Sequence, residues 1–296
     1  MPAAGTGRSG PRRAPRGPLN PVPGKRALET ATEESAPPLR PPLKWAGGKR
    51  WLAPRLEALW RAQRCTRLVE PFCGGLAVAL RLNPQHALLN DVNLHPVNFY
   101  RHLQDGLTIR VAMRNERELY YRHRSDFNRL AATRRGAFSR KAAELFYYLN
   151  RTAYNGLCRF NRKGEFNVPF GRHQRINYVR DFGAYRNVLG RWHFSWGDFE
   201  HLELSDDDFV YADPPYDVPF RQYSRYGFEW SEQERLARWL AAHKGPVVLS
   251  NQATDRILAL YESLGFRLSL VDAPRSISRT GDRTRAREVL ATRGFE

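Results

Sequence analysis

Four short apolar runs, each ending in a polar turn, constrain this chain more than any other feature. Leu68 and Val69 lead into EPFCGG, Ala87 to Leu89 end in NDVN, Phe209 to Ala212 end in DPPY, and Val247 to Leu249 end in SNQ. Each run is followed by a helical pattern, so the runs read as strands of a mostly parallel sheet in an α/β fold. Ligands of such sheets bind beyond the carboxyl ends of the strands, which is where these polar turns fall. Helix punctuation supports the alternation: Ser231 with Glu234 forms a capping box ahead of Leu236 and Leu240, and Thr254 opens a helix that Gly265 closes.

Residues 97–194 break the rhythm. They are rich in Arg, Tyr and Phe, carry helical spacing at Ala142, Leu145, Phe146 and Leu149, and place Arg162, Lys163 and Gly164 between FN and EFNVPF as the tip of a hairpin. The expected organisation is a tail at 1–40, a sheet domain built from 41–96 and 195–296, and a helical plus β-hairpin subdomain inserted at 97–194.

Charge narrows the partner. The chain has 48 Lys plus Arg against 30 Asp plus Glu, a net charge of +18. The first 40 residues hold eight of the 20 prolines and no aromatic residue, the composition of a disordered segment, and account for only +4. The remaining +14 sits on a folded globule and calls for a polyanion. No apolar run approaches the roughly 18 residues of a membrane span, and no apolar stretch follows the basic N-terminus, so a cytoplasmic protein with no membrane partner is expected. Cys65, Cys73 and Cys158 are scattered and the eight histidines lack ligand spacing, which predicts neither disulfide framework nor metal.

Asp213, Pro214, Pro215 and Tyr216 form the most informative tetrapeptide. Read structurally, it is a Pro-stiffened strand-to-helix turn. Read chemically, it prepares an exocyclic amine for methylation: the Asp213 carboxylate and the Pro214 carbonyl each accept one N–H, directing the nitrogen lone pair at an electrophile. The two prolines remove competing donors and fix the backbone, and Tyr216 offers a ring for a base to stack on. VEPFCGG is a glycine turn of the kind that approaches a bound nucleoside, with Phe72 and Gly74 as candidate contacts, although no full GxGxxG is present. Asp91 ends the next predicted strand, where an acid commonly holds ribose hydroxyls. KWAGGK adds an indole and two cations around paired glycines, and Trp45 alone reads as core at least as readily as a cofactor platform.

Taken in order, LKWAGGK, LVEPFCGG, NDVN, YLNRTAYNGLCRFNRKGEFNVPFG, VYADPPY, VVLSNQ and APRSISRTG resemble the Dam family of DNA adenine methyltransferases over about residues 42–296. The resemblance implies a Rossmann-like S-adenosylmethionine-dependent methyltransferase that acts on the adenine amino group in GATC and releases S-adenosylhomocysteine. It implies that Trp45, Lys49, Asp91 and Asp213 line the donor pocket and that Asp213 to Tyr216 hold a flipped adenine. It further implies that Arg159 reads guanine, Leu157 and Pro169 touch neighbouring bases, Tyr154 and Asn155 fill the gap left by flipping, and Lys44 meets the outer base pair. Double-stranded DNA is then the partner, and a monomer suffices. Arg on guanine and apolar groups on the thymine methyl are physically apt pairings.

Two positions depart from the family pattern. Leu76 stands where many relatives have a second spaced glycine, which bears on donor affinity. His173 follows FGR where relatives often have tyrosine, which bears on an outer DNA contact. Asp rather than Ser at position 213 argues against the alternatives of an N4-cytosine or RNA methyltransferase, and intact DPPY and KWAGGK argue against a non-enzymatic DNA-binding relative.

Overall fold

A computed structural model describes residues 39–217, 227–273 and 286–295. The N-terminal tail and nearly all of APRSISRTG lie outside the described residues.

In chain order the described elements are α1 (Ala53–Arg61), β1 (Arg67–Glu70), α2 (Ala77–Leu82), β2 (His86–Asp91), α3 (Leu94–Gln104), α4 (Arg117–Ala131), α5 (Arg134–Ala137), α6 (Arg140–Thr152), α7 (Gly183–Leu189), β3 (Trp192–Trp196), β4 (Asp208–Ala212), α8 (Trp230–Ala242), β5 (Val247–Gln252), α9 (Asp255–Ser263), β6 (Arg267–Ala273) and β7 (Ala286–Arg293). All four expected strands form, and a seven-stranded sheet runs β3-β2-β1-β4-β5-β7-β6. β3, β2, β1, β4 and β5 are mutually parallel, while β7 lies antiparallel between β5 and β6. This is the Rossmann-like, doubly wound sheet that the sequence leads one to expect, and its order reverses direction between β1 and β4, the place where such sheets open a crevice.

The parallel strands are apolar on both faces because both faces are covered. Leu68, Phe209, Val248 and Leu290 face one cluster together with α2 and α3, whereas Val69, Val210, Leu249 and Val289 face the other with Leu236, Leu240 and Ile257 of α8 and α9. At the start of the central pair, Arg67 grips the buried Asp208 carboxylate through Nε at 2.8 Å and Nη2 at 2.7 Å.

Between β2 and β3 the chain builds α3 to α7. Ser139 caps α6 by accepting from the Ala142 N–H at 3.2 Å, and the expected apolar positions Ala142, Leu145, Phe146 and Leu149 are all buried. So are Ala143, Tyr147 and Tyr148, because α6 packs between α3 and α4 and is enclosed almost all round.

Two local expectations need correction. Thr254 does cap α9, but the capping box at Ser231 and Glu234 does not form: α8 begins at Trp230, two residues before the start that a Ser231 cap would set, with Glu229 ahead of it and no side-chain cap. The Trp230 ring lies under the Arg256 guanidinium at 4.6 Å, a contact that draws it into the helix. The hairpin turns where expected, with Gly164 at φ 82 and Asn161 N donating to the Glu165 carbonyl at 3.0 Å, but it carries isolated bridges rather than strands. Phe160 and Phe166 anchor it by burying their rings beside Phe127 and His95, so side-chain packing replaces a ladder.

Candidate active site and nucleic-acid face

The polar turns converge at the carboxyl ends of β1, β2, β4 and β5. Asp213 follows β4 directly, and both of its carboxylate oxygens are engaged. Oδ1 accepts from the Ser250 hydroxyl at 2.9 Å and Oδ2 from the Lys49 ammonium at 2.9 Å. Burial pushes the Asp213 carboxyl above its ordinary range, and Lys49 and Ser250 pull it back. The chain of contacts extends to Tyr211, whose hydroxyl lies 3.0 Å from Ser250 Oγ.

Lys49 is only 3% exposed and also donates to the Gly47 carbonyl at 3.0 Å. At that depth a charge requires its partner, since breaking a buried pair costs about 3–5 kcal/mol. Its ammonium sits 4.8 Å from the centroid of the Tyr216 ring, so the first and last members of DPPY share one cation. Behind them Gln233, 1% exposed, donates to the Pro215 carbonyl at 2.8 Å and accepts from Asn251 at 2.9 Å, which locks the turn from the α8 side.

The glycine turn is equally fixed. Gly74 N donates to Asp91 Oδ2 at 3.0 Å, the other Asp91 oxygen accepts from Asn93 N at 2.8 Å, and the Tyr100 hydroxyl donates to the Gly74 carbonyl at 2.7 Å. Burial raises the Asp91 carboxyl to about 6 despite those two N–H donors. Trp45 lies directly on the turn: a Cβ added at Gly74 would come within 2.5 Å of its Nε1, and one at Gly75 within 2.8 Å of its Cβ. Phe72 is half-buried and packs edge-on against Phe228 at 5.6 Å. Leu76 adopts φ 62, ψ 28 with a fully buried side chain, so it keeps the left-handed backbone a glycine would take and spends its side chain on the core. A rigid glycine turn, an acid at the end of β2 and a buried lysine–carboxylate pair fit an adenosyl methyl donor.

Sequence reasoning missed Ser250, Tyr211, Gln233, Glu70 and Glu288. Ser250 and Glu70 stand inside motifs singled out as strand ends, but nothing local told which of those side chains face the site. Glu70, 3% exposed, is pushed up to about 8 chiefly by burial, and its Oε1 has no hydrogen-bond partner among the described residues.

The other candidate residues gather on the turn after α6 and on the hairpin. Tyr154 is 51% exposed, and its N–H donates to the Pro169 carbonyl at 2.9 Å, tying the turn to the hairpin's return. Asn155 and Gly156 both have positive φ, and a Cβ on Gly156 would fall 2.3 Å from the Lys44 stem. Lys44 reaches the Arg151 carbonyl at 3.4 Å, and burial followed by the Arg151 charge lowers its pKa. Its backbone is clasped by Asn150, which accepts from Lys44 N and donates to Lys44 O, each at 2.8 Å. Leu157 is half-buried against the core. Arg159 is exposed, and its Nε donates to Asn167 Oδ1 at 2.8 Å. The His173 ring turns inward, with Nε2 3.0 Å from the Ala153 carbonyl. Among the described residues no group of three or more His, Cys, Asp or Glu is placed to hold a metal, and no helix is long and apolar enough to cross a membrane.

Residues 45–277 match the family model of the D12 class N6 adenine-specific DNA methyltransferases. The chain is 37% identical over 258 residues to the DNA N-6-adenine-methyltransferase of Escherichia phage P1, an alignment that covers 81% of this chain and 33% of the phage protein. It thus spans about a third of that relative's length. It is 33% identical over 277 residues to the type II methyltransferase M1.LlaDCHI of Lactococcus lactis subsp. cremoris, covering 86% of this chain and 95% of that one. Against the DNA adenine methylase of Vibrio cholerae it is 33% identical over 271 residues, covering 84% and 94%.

Proposed function

The chain belongs to the D12 class N6 adenine-specific DNA methyltransferases, and we propose that it methylates the N6 amino group of an adenine flipped out of duplex DNA, within GATC. The observation that carries this reading is the Asp213 carboxylate, fixed at the end of β4 by Ser250 and Lys49 with the Tyr216 ring beside it.

Asp213 and the Pro214 carbonyl accept the two amino N–H groups, so the nitrogen lone pair leaves conjugation with the ring. Tyr216 stacks on the base and excludes water from its face. S-adenosylmethionine, when bound, supplies the electrophilic methyl group. Trp45, Lys49, Phe72, Gly74 and Asp91 hold it, with Asp91 accepting from its ribose hydroxyls. Asp213 is the nearest base for the proton that leaves the alkylated nitrogen, and its raised pKa suits it to that task.

Recognition belongs to the exposed turn and hairpin. Tyr154 and Asn155 occupy the space left by the adenine, Arg159 pairs with guanine O6 and N7, Leu157 and Pro169 touch neighbouring bases, and Lys44 lies at the outer pair. His173 holds the turn from within at that edge. The net charge of +18 supplies sequence-independent attachment that weakens steeply with salt. One copy of the hairpin reads the site asymmetrically, so the protein acts as a monomer.

Restriction digestion tests the reading. DNA incubated with protein and methyl donor resists a nuclease that GATC methylation blocks, and product nucleosides contain N6-methyladenine. Unimpeded cutting by the nuclease after treatment with folded protein would overturn it.

A further inference from the structure

We propose that Glu288 is a positioning residue of this site, the acceptor that takes the Lys49 ammonium from Asp213 when an adenine amino group claims that carboxylate. The inference rests on the role given to Asp213 above.

Strand register brings Glu288 to the site. β7 pairs antiparallel with β5, Leu290 opposite Ser250 and Glu288 opposite Gln252. Leu290 faces the same core as Leu68, Phe209 and Val248, so the two-residue alternation turns Glu288 to the sheet face that carries Glu70, Asp213 and Ser250. There Glu288 is 6% exposed, and its Oε2 makes no hydrogen bond among the described residues. The neighbouring Tyr216 hydroxyl is in the same condition: phenol and carboxyl interact, but without the geometry of a hydrogen bond. Folds rarely leave two such oxygens unsatisfied side by side, and where they do a function commonly explains it.

Lys49 is the cation that shares the Tyr216 ring with Glu288. Two of its three N–H groups are used, on Asp213 and on the Gly47 carbonyl, and its nitrogen lies over the Tyr216 ring whose hydroxyl faces Glu288. Burial raises the Glu288 carboxyl, and the Lys49 charge is the largest opposing influence, while Tyr211, Asp213 and Tyr216 are the other titratable groups around it. In the arrangement seen here an incoming amino group meets an ammonium already on Asp213 Oδ2. That ammonium also opposes the positive charge that grows on the amino nitrogen as it is alkylated. Rotation of Lys49 toward Glu288 keeps the cation buried and paired and turns the full Asp213 charge to the substrate.

Glu288→Gln keeps the shape and removes the charge. The expected result is a roughly 10- to 100-fold loss of kcat with KM for DNA and donor affinity essentially unchanged. In a Lys49→Met background the same substitution should have no further effect, whereas a merely structural Glu288 would cost as much there as in the parent. Unchanged kcat in Glu288→Gln, or full additivity with Lys49→Met, would overturn the proposal. Should the variant fail to fold, the parent gives the answer: in protein already saturated with S-adenosylhomocysteine the Lys49 Nζ resonance shifts when GATC duplex is added, and a resonance unmoved by the duplex also overturns it. A parent protein that methylates no adenine would sink the proposed function itself, so the two failures are distinct.

Discussion

The strand-end cluster and the hairpin face solve opposite problems. Around Asp213 Lys49, Ser250, Tyr211 and Gln233 form a hydrogen-bonded frame before any substrate arrives, while the Tyr216 hydroxyl and Glu288 Oε2 beside it stand without a hydrogen bond among the described residues. On the hairpin, Arg159 and Tyr154 stand in solvent, and two isolated bridges take the place of strands. The contrast teaches that the geometry for methyl transfer must be in place before the reaction, any exchange of Lys49 being completed as substrate binds, because reorganising dipoles during the reaction is costly, while the reading surface proposed here must keep its donors available to an external partner.

The largest test of this division is Asp213→Ala. Methyl transfer should fall by about 10³-fold or more while DNA affinity stays, as single-turnover kinetics and filter binding would read; equal loss of both would erase the division. Next comes Arg159→Ala, expected to reduce discrimination between GATC and single-base variants by about 1–3 kcal/mol with little change in nonspecific affinity. A uniform loss on all sequences would make Arg159 a phosphate contact instead.

Leu76→Gly probes how firmly the rigid region is held. Glycine relieves a left-handed backbone worth about 1–2 kcal/mol but deletes a fully buried leucine side chain worth about 2–5 kcal/mol. Burial wins, so thermal unfolding should show a net loss of about 1–3 kcal/mol. A stabilised variant would mean that strain dominates at this turn.

The smallest effect is in pH. Because burial raises Asp91 to about 6, its proton favours the folded state, and the stability it contributes, complete near pH 4, is lost as pH rises through about 6. Donor affinity should move the other way, weakening as pH falls below about 6 and the acceptor is protonated. Calorimetric donor titrations from pH 5 to 8 would check the second slope and chemical denaturation the first, and parallel slopes would remove Asp91 from the donor site.

The sheet was readable because parallel strands covered on both faces must be apolar, so DPPY, NDVN and EPFCGG stood out as polar residues that could not be core. Lys49 and Asp213 were likewise visible as motif members, although their contact joins positions 164 apart in the chain. Glu288 was not readable, because its place depends on a strand running against the rest and on a register that no local pattern encodes. Residues 140–152 displayed one apolar stripe while the fold buries nearly the whole helix, since tyrosine hydroxyls and alanines do not announce burial. The capping box at Ser231 was a sound local signal overruled by the packing of Trp230.

The glycines at 74, 75 and 156 have a wider consequence. In each case the atoms that forbid a side chain belong to the protein itself, Trp45 for the first two and Lys44 for the third. A descendant that had lost its methyl donor would still need glycine there to fold. The glycine turn is therefore a signature of architecture, and the Lys49–Asp213 pair shares that double duty, since losing the carboxylate alone would strand a buried ammonium.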